Sequence, residues 1–247
     1  MIVPHLARAA LAVTCCAALL AGCAGGMPRT AAPDYAAVVT SPVRTDQDRR
    51  MDGARHPVEF LEFAQARPGM RALDVSAGGG YTSQILALAA LPGGTVYAQA
   101  PRPGETLMRR VADQRQPNLV VVARPFEDPV PPEARDLDLV TIVLNYHDIA
   151  YLPVDRAVMN RRLYAALKPG GHLVVVDHAA RAGTGTADTK TLHRIDEAVV
   201  RRELEQAGFV LEAEGTFLRN PADPRDRTSS DSPIPTDKFA LRFVRPA

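Results

Sequence analysis

Short runs of nearly uninterrupted apolar residues alternate with segments of helical periodicity along most of this 247-residue chain. Strands that are apolar on both sides need helices on both faces of their sheet, which is typical of parallel sheets. The last two runs are joined by the polar segment 220–237 without a helix, so we expect an antiparallel last strand. The pattern predicts strands at 71–75, 95–100, 119–123, 138–144, 172–177, 209–217 and 238–244.

The segments between the predicted strands have helical spacing, and most of them end at Gly or Pro. The sequence therefore predicts a single α/β domain: a seven-stranded, mostly parallel sheet with an antiparallel last strand and helices on both faces. Helices are predicted at 56–66, 81–91, 105–114, 154–167 and 196–207.

Charge and cysteine content exclude several classes of function. The formal net charge is +1 with acidic and basic residues interspersed, whereas nucleic-acid binding relies on a clustered basic surface. We therefore expect no nucleic-acid partner. All three cysteines lie within the first 23 residues, so the rest of the chain has no disulfide and no cysteine metal site.

The first 23 residues have the features of an export signal. The apolar run 9–20 is shorter than the ~20 residues that a membrane-spanning helix needs. It ends in Leu20-Ala21-Gly22-Cys23, which resembles a bacterial lipobox. The resemblance implies that 1–22 is a lipoprotein signal peptide and that Cys23 is lipidated. A plain secretory peptide with a chance cysteine is the alternative.

The residues after Cys23 bear on location and domain organisation. Ala24 and Gly25 are not the aspartate that usually retains lipoproteins in the inner membrane. The resemblance thus implies a cell-envelope protein, anchored by lipid in the outer membrane and facing the periplasm. The segment 23–43 is predicted to be a flexible tether, and 44–247 the globular domain with an N-terminal helical extension.

A glycine-rich loop follows the first predicted strand and precedes a predicted helix, in the sequence Asp74-Val75-Ser76-Ala77-Gly78-Gly79-Gly80. Glycines let the backbone turn tightly and approach a ligand closely, and the helix start offers free N–H groups. The Lys and Ser/Thr of a phosphate-binding P-loop are missing, and the acid precedes the glycines, unlike in a dinucleotide fingerprint. A tight turn without a ligand is the plain alternative.

This loop resembles motif I of class I S-adenosylmethionine-dependent methyltransferases, acidic-x-Gly-x-Gly-x-Gly, with Ser76 in place of the first glycine. Three further segments resemble the same family: Leu137-Asp138-Leu139-Val140, Lys168-Pro169-Gly170-Gly171 and Glu205-Gln206-Ala207-Gly208-Phe209. The resemblance spans about 56–245 and includes methyltransferases exported or lipidated in proteobacteria. It implies a Rossmann-like fold and S-adenosylmethionine as cofactor. The implied cofactor-binding residues in the loop are Asp74, Ser76, Ala77, Gly78, Gly79 and Gly80.

The sequence departs from the family pattern after the second and third strands. Most members have an acid that binds both ribose hydroxyls of the cofactor, where this chain has Gln99. An amide there makes weaker contacts because it carries no charge. After the third strand, Glu127 or Asp128 is the candidate near the adenine.

Four consecutive polar residues after the fourth strand are site candidates: Asn145 for the cofactor, and Tyr146, His147 and Asp148 for catalysis. The resemblance places substrate-facing groups at this position, with Asn145 toward the cofactor. His147 would act as general base, Asp148 would orient it, and Tyr146 would wall the methyl pocket. The alternative is that Asp148 caps a turn and Tyr146 packs in the core.

Further polar residues are expected at the same sheet edge, in Asp177-His178 and His193-Arg194. None of the histidines has the i, i+4 spacing typical of metal sites, so we predict a polar substrate pocket and no metal. In the N-terminal extension, Arg49, Asp52 and Arg55 form either a lid over this pocket or a solvated helix face.

Two functions are compatible with these features. The first is methyl transfer from S-adenosylmethionine to a small-molecule acceptor, with the membrane contacted through the lipid anchor. The second is a non-catalytic cell-envelope binding lipoprotein on a degenerate methyltransferase fold, motivated by Gln99 and by the cytoplasmic origin of the cofactor. A different nucleotide-like cofactor is a third possibility.

Overall fold

The computed structural model describes residues 1–2, 33–112 and 115–247, so Cys23 and nearly all of the predicted signal peptide lie outside the described residues. The strands are β1 (Arg71–Val75), β2 (Thr95–Ala100), β3 (Leu119–Ala123), β4 (Leu137–Val143), β5 (Leu167–His178), β6 (Val210–Gly215) and β7 (Lys238–Val244). The helices are α1 (Tyr35–Val39), α2 (Asp46–Arg55), α3 (Pro57–Phe63), α4 (Tyr81–Ala89), α5 (Glu105–Ala112), α6 (Tyr146–Tyr151), α7 (Arg156–Ala166) and α8 (Glu197–Gln206).

The strands form one sheet in the order β3-β2-β1-β4-β5-β7-β6. Strands β1 to β5 pair in parallel, and β7 lies antiparallel between β5 and β6. The predicted Rossmann-like α/β fold, with its antiparallel last strand, is confirmed. The strand order reverses between β1 and β4, and open α/β sheets bind ligands at such a switch point.

Apolar layers cover both faces of the sheet. In β1, Leu73 and Val75 face one layer while Ala72 faces the other, and all three are fully buried. Helices α7 and α8 pack on the first layer, and α3 and α4 pack on the second. This two-sided burial explains why the strands lack a polar face.

Four strands, β1, β2, β3 and β7, have the predicted bounds, but β5 is longer than predicted. The segment 168–171, predicted as a turn, belongs to the strand: Leu167 pairs with Leu137, and the Gly170 N–H donates to the Arg245 carbonyl at 2.8 Å. A Cβ on Gly171 would lie 2.9 Å from the Leu137 carbonyl oxygen. Glycine therefore lets two strands approach here, in addition to ending a helix.

The folded part begins earlier than predicted, because α1 lies within the expected tether. Asp34 caps this helix, and the Tyr35 hydroxyl donates to the Ala66 carbonyl at 2.6 Å. Helix α2 starts with a capping box formed by Thr45 and Asp48. No helix within the described residues is long and apolar enough to span a membrane.

Candidate functional site

A cavity of about 380 Å³ lies at the carboxyl ends of β1 and β4, between the glycine-rich loop and α2. The loops after these two strands are tied together, because the Asn145 side-chain amide donates to the Ser76 carbonyl at 3.0 Å. The volume is that of a site for a small ligand. The predicted cofactor residues on its wall are Asp74, Ser76, Ala77, Gly78, Gly79 and Asn145.

The glycine-rich loop turns by means of three residues with positive φ: Ser76 at 57°, Gly78 at 56° and Gly80 at 81°. A Cβ built on Gly78 has no atom within 4 Å, so this backbone is bare toward the cavity. A Cβ on Gly80 would lie 2.8 Å from Leu107. Gly78 thus leaves room for a ligand, whereas Gly80 is required by packing against α5 and does not line the cavity.

The carboxylate of Asp74 forms the floor of the cavity. It is 2% exposed and accepts hydrogen bonds from Ser83 Oγ at 2.6 Å and Thr141 Oγ1 at 2.7 Å. Burial raises its pKa to about 6, and these hydrogen bonds oppose the rise only in part. A cationic ligand group beside Asp74 would relieve this unfavourable burial.

Helix α2 covers one side of the cavity through ionic contacts with α4 and α5. Buried Asp48 binds the guanidinium of Arg110 at 2.6 Å, and the Tyr81 hydroxyl donates to Asp52 at 2.6 Å. The guanidinium of Arg55 lies 4.8 Å from the centre of the Tyr81 ring and lines the cavity. Arg55 thus faces the cavity as a lid would require, whereas Asp52 ties α2 to Arg44 and Tyr81 and is not on the cavity wall.

The third member of the predicted lid, Arg49, faces away from the cavity. Its guanidinium donates to the carbonyl oxygens of Ser41 and Arg44. Asp48 and Arg110 were missed by the sequence analysis. The capping-box spacing of Thr45 and Asp48 is the sequence signal that could have placed a helix start near them.

Besides Gly80, two more predicted cofactor residues, Gln99 and Glu127, do not line this cavity. Gln99 is fully buried: its Oε1 accepts from the Ser76 N–H at 3.0 Å, and its Nε2 donates to the Arg124 carbonyl at 2.6 Å. It braces the glycine-rich loop, and its complete burial keeps it from a ligand in the cavity. Glu127 lies in the turn after β3, away from the cavity wall.

The side chains of the predicted catalytic residues have different partners at the start of α6. His147 is held by Asp177, whose Oδ1 lies 2.6 Å from His147 Nδ1 and whose Oδ2 accepts from the His147 N–H at 2.8 Å. Asp148 instead lies beside His147 Nε2, at 3.3 Å. Asp177, fully buried, is therefore the orienting carboxylate that was predicted to be Asp148.

The pKa values of two neighbouring imidazoles at this edge of the sheet, those of His147 and His178, are shifted in opposite directions. Burial alone would lower the pKa of His147, but hydrogen bonds to Asp148 and Asp177 outweigh it and raise the pKa to about 9. Burial, reinforced by Lys238, lowers the pKa of His178 to about 3. In the free protein at neutral pH, His147 is therefore charged and His178 neutral.

The structure does not bring Tyr146 to the cavity. Its side chain is fully buried in the core, its hydroxyl donates to Glu203 at 2.7 Å, and it accepts from Asn160 Nδ2 at 2.9 Å. Arg194 is likewise structural, because Asp223 binds its buried guanidinium at 2.8 Å. The packing alternative considered for Tyr146 is the arrangement that the fold adopts.

Replacing Ser76 with glycine should stabilise the protein by up to about 1 kcal/mol, because a left-handed L-residue costs roughly 1–2 kcal/mol and glycine removes most of that cost. The measurement is the urea unfolding midpoint. Ala77→Gly is the matched control, since Ala77 has no positive φ and should lose stability. Equal losses in both variants would contradict the strain assigned to Ser76.

No protein-family model matches this chain, and no curated protein sequence matches it significantly. Solved structures are similar. An S-adenosylmethionine-dependent methyltransferase from Aquifex aeolicus has a TM-score of 0.57 at 18% identity, over 81% of this chain and 98% of that one. An S-adenosylmethionine-dependent O-methyltransferase from Thermotoga maritima has a TM-score of 0.52 at 16% identity, over 87% of this chain and 72% of that one.

A third similar structure is a TehB-like S-adenosylmethionine-dependent methyltransferase from Corynebacterium glutamicum, with a TM-score of 0.50 at 20% identity, over 80% of this chain and 94% of that one. At such identities the likeness defines the fold alone. The chain has the class I methyltransferase fold, and its chemistry must be argued from its own cavity.

Proposed function

We propose that this protein is an S-adenosylmethionine-dependent methyltransferase that acts on a small-molecule acceptor. The observation that carries this function is the cavity over the bare backbone at Gly78, with the Asp74 carboxylate at its floor. A glycine cradle with an acid below it suits a ligand that presents an ammonium group and needs close backbone contact.

The charged groups of the cavity fit the two ends of an amino acid. Asp74 would hold the ammonium of the cofactor's methionine part, and Arg55 supplies a cation for its carboxylate. Among the described residues, Asp74 is the acid on the cavity wall, and with Asp74 at the ammonium none is left for the ribose; Gln99 is engaged with the Ser76 N–H instead. We therefore expect weaker ribose contacts than in family members that have an acid at this position.

When bound, the cofactor supplies an electrophilic methyl group on its sulfonium. The role of the chain is to hold the two reactants in line and to exclude water, which contributes most of the rate in such a reaction. Helix α2 covers one side of the cavity, which favours a small acceptor over a macromolecule. The general-base role of His147 stays a prediction, and it requires that the ring first lose the proton that it carries at neutral pH in the free protein.

Calorimetric titration of the purified protein with S-adenosylmethionine and S-adenosylhomocysteine tests the function. We expect one site of micromolar affinity, the order typical for cofactors and substrates of enzymes. S-adenosylhomocysteine keeps the ammonium and carboxylate and lacks the methyl group together with the sulfonium charge, so it should also bind. Absence of heat and of thermal stabilisation by either ligand would favour the non-catalytic binding protein, for which buried Gln99 is the supporting observation.

We also propose that the mature protein is lipid-anchored in the cell envelope, at the outer membrane and facing the periplasm. The support is in the sequence, where a basic residue, an apolar run and Leu20-Ala21-Gly22-Cys23 follow one another in the order of a lipoprotein signal. Acyl chains anchor a protein by burying CH₂ groups, without a basic surface. The mass of the mature N-terminal peptide decides this, because an unmodified Cys23 contradicts the anchor.

A further inference from the structure

The fold gathers three potential metal ligands at the rim beside α6. Asp148 Oδ1 lies 3.3 Å from His147 Nε2 and 3.2 Å from His193 Nδ1. One ligand atom from each of the three residues lies within 4.8 Å of the other two. Because His193 is 45 residues from Asp148 in the chain, the sequence spacing did not indicate a metal site.

The distances between these ligand atoms suit coordination of one metal ion. Ligands at about 2.05 Å from an ion in tetrahedral geometry lie about 3.3 Å from one another. The two distances to Asp148 already have this value. The ligand nitrogens of the two imidazoles lie within 4.8 Å of each other. His193 is a loop residue with a φ of 50°, and its ring nitrogen Nδ1 faces Asp148.

Asp177 supplies the outer contact that metal-binding histidines normally have. A carboxylate only accepts hydrogen bonds, so His147 Nδ1 carries the proton that it donates to Asp177 at 2.6 Å. Nε2, which faces Asp148, is therefore the ring atom that would bind an ion, and the ion would displace the proton that Nε2 carries in the free protein. Such carboxylate–histidine pairs orient the ring and raise its basicity in metal sites.

We propose that His147, Asp148 and His193 bind one divalent transition-metal ion, with Asp177 as the positioning residue. Two imidazoles and one carboxylate suit ions such as Zn²⁺, Co²⁺ or Fe²⁺ and leave coordination positions open for water or substrate. The side chains of Asp148 and His193 are 36% and 43% exposed, so solvent reaches the site.

This site has a consequence for the predicted catalytic role of His147. A metal ion occupies the Nε2 lone pair that a general base would need, so the two roles exclude each other. The metal site itself does not depend on methyl transfer, because none of its three ligands is among the residues lining the glycine-loop cavity.

The test is calorimetric titration of the purified, chelator-treated protein with Zn²⁺ and Co²⁺, without nucleotide ligand. We expect one ion per chain, a raised unfolding temperature, and a visible ligand-field spectrum with Co²⁺. His193→Ala removes a partly exposed side chain and should weaken binding at least roughly tenfold with the fold intact. Asp177→Asn should weaken it by roughly 10–100-fold.

His172→Ala is the matched control, because His172 lies five residues before Asp177 in β5, pairs with Glu212 instead of the cluster, and should leave metal binding unchanged. Absence of stoichiometric binding of both ions to the wild-type protein would overturn the site. Equal affinities of wild type and His193→Ala would do so as well. Since S-adenosylmethionine is absent from this titration, failure here and failure of the methyltransferase function are separate outcomes.

Discussion

Replacing Asp74 with asparagine should make the free protein more stable and its cofactor binding weaker. The carboxylate is buried with a pKa raised to about 6, so its ionised form is costly in the folded state. Asparagine has the same shape, and the hydroxyls of Ser83 and Thr141 can turn to pair with its amide. We expect a gain of up to about 3 kcal/mol above pH 7.

The pH dependence of this gain follows from the direction of the shift. The folded protein holds the Asp74 proton more tightly than the unfolded chain, whose pKa is near 3.8. The cost of ionisation is therefore fully present above the folded value of about 6 and is relieved as the pH falls toward 3.8. Urea unfolding should show a larger gain for Asp74→Asn at pH 8 than at pH 5.

Affinity for S-adenosylmethionine should change in the opposite direction. Losing a charged partner of the ammonium group should weaken binding by roughly 10–100-fold. Asp138→Asn is the control: this acid pairs with Arg67 and Lys168 at the other end of β4, so its loss should lower stability without altering affinity. Unchanged affinity of Asp74→Asn would remove Asp74 from the site.

A single methyl group at Gly78 should abolish most cofactor affinity. The Cβ of Gly78→Ala would enter the open cavity where the ligand must lie. One misplaced carbon in a binding site lowers affinity by roughly 10–200-fold. The substitution also costs about 1 kcal/mol of stability, because Gly78 has a φ of 56°. Affinity must therefore be compared with a variant that carries the same backbone strain.

Gly93 provides that comparison. It has a φ of 83°, a Cβ on it would also meet no atom within 4 Å, and it lies in the turn between α4 and β2. Gly93→Ala should lose similar stability and keep wild-type affinity for S-adenosylmethionine in calorimetric titration. If both variants bind equally well, the ligand does not lie against Gly78, and the enzymatic function loses its support.

The sheet could be predicted from the sequence because its strands are apolar on both sides and are separated by strong turn signals. The glycine-rich loop was equally recognisable, since three adjacent glycines follow a buried strand. Helix α2 was not predicted as a separate helix because it is held by ionic pairs such as Asp48 with Arg110 and has no apolar stripe.

Side-chain roles were harder to predict than positions. Gln99 occupies the expected place at the end of β2, yet its amide is used within the protein. Tyr146 and His147 are adjacent, but the start of α6 sends one into the core and the other toward Asp177. Pairings across 30 or more residues, such as His147 with Asp177, have no signature in local sequence.

The ionic contacts of α2 determine where a recombinant form of this protein has to begin. A chain starting at the first predicted helix, at residue 56, would lack Asp48 and Asp52, the partners of Arg110 and Tyr81. It would keep the whole sheet and still lose one wall of its ligand chamber. Ligand screens on such a shortened form would report on an opened chamber, so the N-terminal boundary should precede Asp34.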